Sequence, residues 1–185
     1  MGKVEPIRDK KKVEDIKKFL SGDIRNYCLF VCGINNGLRA GDLLKIKVGQ
    51  VRDLKTGDKV RIKEEKTKKE NYFYINKPVY QAIQRLIQDY DLSNYDYLFP
   101  SRKQKGKLDT YTLSRLVKSW CKSVGLSGNY GSHTLRKTWG YVQRVYFGVS
   151  WELISERMNH SNPSQTRVYL GIDKSEISKI MTNEL

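Results

Sequence analysis

Apolar positions along the chain fall mostly at helical spacing. Val13, Ile16, Phe19 and Leu20 recur three and four apart after Pro6, which predicts a first helix over 9–20. Asp23 can cap a second, bearing Ile24, Tyr27, Cys28, Val31 and Ile34 and stopping near Asn35-Asn36-Gly37. The pattern then shortens. Segments 46–51, 59–63 and 72–75 read as short strands, with turns at Thr56-Gly57-Asp58 and around Lys66. Pro78 opens a further helix carrying Val79, Ile83, Leu86, Ile87 and Tyr90. The cleanest stripe lies over 110–124, where Leu113, Leu116, Val117, Trp120, Cys121 and Val124 share one face. Ser132 is placed to cap the next helix, which runs to about Tyr146, and shorter helices are predicted over 150–158, 163–170 and 173–183. No internal repeat or long low-complexity linker interrupts this order. The fold class is α+β: a mostly helical domain with a small three-stranded antiparallel sheet near the N-terminal third.

Length and charge sharpen the picture. A chain of 185 residues suits one domain. No apolar run approaches the ~18 residues of a membrane-spanning helix, and the start lacks the apolar core of a secretory signal, so a cytoplasmic protein without a membrane partner is expected. Cys28, Cys32 and Cys121 form no C-x-x-C pair. They predict core packing, with no disulfide framework and no cysteine-based metal site. Lys and Arg number 35 against 20 acids, a net charge of +15. Between Tyr97 and Trp151 there is one acid, Asp109, against ten bases. The bases cross several predicted elements with Tyr, Trp and Gly between them. A basic membrane helix would gather them on one face of one helix. A broad basic surface instead suits nucleic acid, where binding releases counterions from phosphates.

The candidate chemistry lies in residues that are unremarkable singly. His133 and Arg136 sit three apart on the first turn of a helix, an end that favours anions. H-x-x-R also arises by chance. Arg39 and Asp42 fit an ordinary surface pair worth little, and a lone tyrosine such as Tyr169 on a short helix usually packs. In order along the chain, however, stand Gly37-Leu38-Arg39-Ala40-Gly41-Asp42-Leu43-Leu44, then His133-Thr134-Leu135-Arg136-Lys137-Thr138, then Asn159-His160 and Tyr169-Leu170. This set resembles the catalytic domain of the tyrosine recombinases (the phage integrase family), and it spans nearly the whole chain.

The resemblance implies a single catalytic domain over 1–185 that cuts and rejoins DNA through a 3′-phosphotyrosyl intermediate. Tyr169 is then the nucleophile, Arg39 and Arg136 grip the phosphate, His133 assists proton transfer and His160 hydrogen-bonds a phosphate oxygen. Lys66 matches the family's general acid best, with Lys68 and Lys69 as alternatives if the turn is registered differently. Asp42 corresponds to an orienting group. No cofactor and no metal is expected. Asn159 stands where the family has glycine, and asparagine tolerates the left-handed conformation that the turn needs. The separate N-terminal helical domain of most relatives is expected to have no counterpart here. The helix expected over 173–183 could close the chain's own core or exchange between subunits. The implied partners are a double-stranded recombination site, further copies in a tetramer on DNA (a monomer when free), and accessory DNA-bending proteins. Two other readings share the scaffold: a DNA-binding protein without catalysis, and a topoisomerase of type IB that nicks and reseals.

Overall fold

The computed structural model describes residues 4–103 and 106–172, so the helix expected over 173–183 lies outside the described residues. Eight helices and one hairpin make up the described chain. Helix α1 (Lys10–Phe19) is capped by the Asp9 carboxylate, which accepts from the Lys11 N–H at 2.7 Å. It buries Val13 and Ile16, but Phe19 is turned outward and 54% exposed. Leu20, one position on, takes the core place instead.

Helix α2 (Ile24–Asn36) starts at the Asp23 cap and runs through the middle of the core, with Cys28, Leu29, Phe30 and Cys32 fully buried. Its length is set by Gly37, whose left-handed backbone (φ 61°) ends it. Helix α3 (Ala40–Leu43) follows directly, with Arg39 as its extended N-terminal neighbour.

The sheet has two strands, not three. Strands β1 (Lys59–Lys63) and β2 (Glu70–Tyr74) pair antiparallel, with Lys59 opposite Tyr74 and Lys63 opposite Glu70. The segment expected as a first strand forms a 3-10 turn at Val48–Gln50 and bonds elsewhere. Lys47 bridges Tyr97, and the N–H groups of Val48 and Leu98 donate to Asp96 and Ile46. Ile46, Val48 and Val51 are all buried, so the apolar signal was one of burial. It did not specify which backbone the segment would pair with.

Helices α4 (Lys77–Tyr90) and α5 (Thr110–Ser123) begin at the caps Asn76 and Asp109. Helix α6 (Ser132–Val145) begins one residue earlier than expected. Gly131 occupies the cap position and its N–H donates to the Thr134 hydroxyl at 3.1 Å, while Ser132 is the first helical residue. Helices α7 (Trp151–Arg157) and α8 (Pro163–Leu170) are capped by Ser150 and Asn162. A small second core of Ile154, Met158, Leu170 and Ile172, flanked by Trp139 and Tyr169, fastens α8 to α6 and α7.

Candidate active site

Five separate segments deliver side chains to one cleft of about 400 Å³. Arg39 comes from the start of α3 and Lys66 from the β1–β2 turn. His133 and Arg136 project from the first turns of α6, His160 follows α7, and Tyr169 lies on α8. All six residues singled out in the sequence therefore border the same space. Of the alternative lysines, Lys69 also lines the cleft. Lys68, in a left-handed conformation at φ 59°, is not among the lining residues.

Arg136 is 2% exposed and held from two sides. Its guanidinium donates to the carbonyls of Gly37 at 2.9 Å and Met158 at 2.5 Å. The end of α2 and the end of α7 are thereby tied to α6 at the point where the cleft forms. Burial lowers this guanidinium to about 10, which still leaves it charged at neutral pH. Arg39 pairs with the fully buried Glu64 carboxylate, not with Asp42 as a surface pair would. Asp42 is buried too. Its Oδ1 accepts from the Glu65 N–H at 2.9 Å, which fixes the start of the lysine-bearing turn, and burial raises its carboxyl above the usual range.

The His133 ring nitrogen Nδ1 lies 3.3 Å from the Tyr169 hydroxyl. Burial, and then the charges of Arg136, Lys137, Arg39 and Lys66, push the His133 imidazole below its ordinary value. It is neutral at pH 7 and able to accept a proton. Burial raises the Tyr169 hydroxyl, against the pull of Arg136 and Arg39. The Lys137 ammonium stands over the Tyr169 ring at 4.7 Å. His160 packs edge-on against the same ring at 5.2 Å, and its Nδ1 is 2.8 Å from the Thr166 hydroxyl. Burial and the two arginines lower it to about 4. Asn159 adopts the left-handed backbone expected of it, at φ 50°, and its amide donates to the Glu70 carbonyl at 3.1 Å.

Two residues of this neighbourhood escaped the sequence reading. Glu64 is one. Its only sequence signal is that it is an acid two residues before Lys66 in a run of bases. Arg157 is the other. It donates to the carbonyls of Asn36 at 2.6 Å and Tyr72 at 2.8 Å, and to the Asn71 side chain. Stacked near Tyr74 and Trp139, it pins β2 against α7, and nothing in its local sequence marks it. Among the described residues no group of three or more His, Cys, Asp or Glu has the arrangement to hold a metal ion. No helix among them is long and apolar enough to cross a membrane.

The model of the phage integrase family matches residues 8–176. The chain is 34% identical over 174 residues to the probable integrase/recombinase YoeC of Bacillus subtilis (strain 168), covering 92% of this chain and 91% of that protein. It is 26% identical over 174 residues to the tyrosine recombinase XerC of Caldanaerobacter subterraneus subsp. tengcongensis, covering 89% of this chain. That match covers only 48% of XerC, so the chain spans about half the length of such relatives. Among solved structures, the crystal structure of XerA recombinase superposes with a TM-score of 0.78 at 19% identity, over 98% of this chain and 67% of that one. At that identity the likeness speaks for the fold.

Proposed function

The chain belongs to the phage integrase family, the tyrosine recombinases that carry out site-specific recombination of DNA, and from that premise we propose that it cleaves and rejoins DNA through Tyr169. The observation that carries the residue assignment is the convergence of Arg39, Lys66, His133, Arg136, His160 and Tyr169 on one cleft from distant parts of the sequence.

The chemistry follows from charge. A phosphodiester repels nucleophiles, and attack builds further charge on its non-bridging oxygens. Two guanidiniums offset that charge with directed hydrogen bonds and do not lose their protons in doing so. With Arg136 anchored by two carbonyls, its position is set before DNA arrives. Tyr169 Oη attacks the phosphorus while its proton passes to His133. The bond to the 5′ oxygen breaks, and Lys66 gives that oxygen a proton. A 3′-phosphotyrosine and a free 5′ hydroxyl result. In this reading the Thr166 hydroxyl, 2.8 Å away, donates to His160 Nδ1, which leaves the ring proton on Nε2 as donor to a phosphate oxygen. A 5′ hydroxyl from a second strand then reverses the step. In this reading the side-chain cations carry the phosphate charge, so neither metal nor cofactor takes part. The same reading takes double-stranded DNA as the partner, the protein acting as a tetramer on paired sites and as a monomer when free, with DNA-bending proteins as accessories.

The test starts from a pool of nicked duplexes of randomised sequence, in which cleavage beside the nick releases a short strand and traps the enzyme. The expected result is a covalent protein–DNA band on a recoverable subset of sequences, absent for Tyr169→Phe. A protein that retains DNA tightly yet never yields the band would be a binding module and not a recombinase.

A further inference from the structure

One buried carboxylate joins the Arg39 side of the cleft to the turn that carries Lys66. Glu64 has no exposed side-chain surface, and its Oε2 accepts from the Arg39 guanidinium and from the Thr67 hydroxyl at 2.5 Å. Its Oε1 accepts from the Asn71 amide at 2.8 Å. Its backbone closes the turn that carries Lys66. The Glu64 N–H donates to the Lys69 carbonyl at 2.9 Å, and the Lys68 N–H returns to the Glu64 carbonyl at 3.0 Å. A buried anion surrounded by donors resists protonation. Burial pushes this carboxyl up, but the bonds from Thr67 and Asn71, the Arg39 charge and the Asn159 amide outweigh it and hold it below the usual range.

We infer that Glu64 is the positioning residue of the site, holding the Arg39 guanidinium at the cleft and locking the Lys66 turn to it through one shared carboxylate. The inference rests on the recombination reading above. The physical argument is geometric. Arginine and lysine side chains each lose substantial rotamer freedom when fixed. Arg39 has no second buried acceptor in the described structure comparable to the two carbonyls that hold Arg136. A charged acceptor roughly doubles the strength of such a bond. Because Thr67 directly follows Lys66, the carboxylate oxygen that holds Arg39 also holds the backbone next to the proton donor.

The experiment compares the full chain with Glu64→Gln and Glu64→Asp, using one duplex recovered from the pool above. Trapping by the unsubstituted protein establishes the cleavage step of that reading independently of Glu64. For a folded Glu64→Gln, covalent trapping should slow by about tenfold or more, the scale of one charge-assisted bond, while DNA affinity stays within about twofold. Glu64→Asp, which keeps the charge, should recover part of the rate. A second reading needs no activity. In nuclear magnetic resonance spectra the Arg39 guanidinium of Glu64→Gln should rotate faster, while that of Arg136 is unchanged. Trapping at the unsubstituted rate would overturn the inference, as would Arg39 and Arg136 loosening together. If Glu64→Gln does not fold, Thr67→Val decides. It removes one bond at a half-buried position, and equal trapping with an unchanged Arg39 signal would sink the idea.

Discussion

As the proposed nucleophile, Tyr169 is a reluctant one in the free protein, because burial holds its hydroxyl above the ordinary phenol range of ~10. Neighbours supply what the phenol lacks. His133, kept neutral by burial and surrounding cations, stands within reach of the proton, and Arg136 and Arg39 favour the phenolate. The departing oxygen needs the opposite service, which makes Lys66 testable by itself. Lys66→Ala should cut trapping on a natural duplex by about 100-fold, within the range of general acid catalysis. A duplex with sulfur in place of the bridging 5′ oxygen should be cleaved by this variant at close to the normal rate, because a thiolate leaves without a proton. Lys69 also borders the cleft. Rescue of Lys69→Ala by sulfur, with none for Lys66→Ala, would move the assignment to Lys69.

At the scale of elements, the site depends on where helices end. Gly37 ends α2 in a left-handed conformation, and its carbonyl receives Arg136. A Cβ at this position would lie 2.5 Å from Cε3 of the Trp139 ring, a rigid neighbour. Gly37→Ala combines that clash with an unfavourable φ, so a loss of about 1–3 kcal/mol is expected. Thermal unfolding should register it as a fall in Tm at about 2–4 °C per kcal/mol for a chain of this size. Trapping at temperatures where the variant is fully folded should fall as well, because Arg136 moves with its acceptor. An unchanged Tm would show that the Trp139 ring yields. The Gly37-Leu38-Arg39 box is thus partly about the turn: one residue ends a helix, anchors one arginine and aims the next.

For the whole molecule the charge of +15 is the dominant fact. Only Arg39, Lys66 and Arg136 among the bases are assigned to chemistry. The exposed ones among the others can hold or approach a polyanion. Affinity for any duplex should therefore fall linearly on a log–log plot against salt, with a slope near −0.9 for each phosphate neutralised. Titration of a fluorescent duplex from about 50 to 200 mM salt should weaken binding by at least tenfold, the loss growing with the number of phosphate contacts. A flat response would mean that the basic window between Tyr97 and Trp151 does not face DNA.

The sequence alone determined the long helices of the described chain and most of their caps, and it singled out the six candidate side chains, because each is written locally. Helical spacing, an Asp, Asn or Ser before a helix, and motif boxes are all read within a few residues. Asn159 is a case in point: the family's glycine at this place implies a left-handed position, asparagine tolerates one, and the backbone adopts it. What it misjudged was pairing and orientation. Segment 46–51 announced burial but could not announce that its partner is the stretch around Tyr97, and Phe19 carried the right period yet faces solvent. Tertiary structure alone decided the partners of the arginines. Glu64 meets Arg39 across 25 residues and Gly37 meets Arg136 across 99, and Arg157 ties β2 to α7. A buried ion pair is a property of two distant positions brought together under low dielectric, and no single stretch of sequence contains that information.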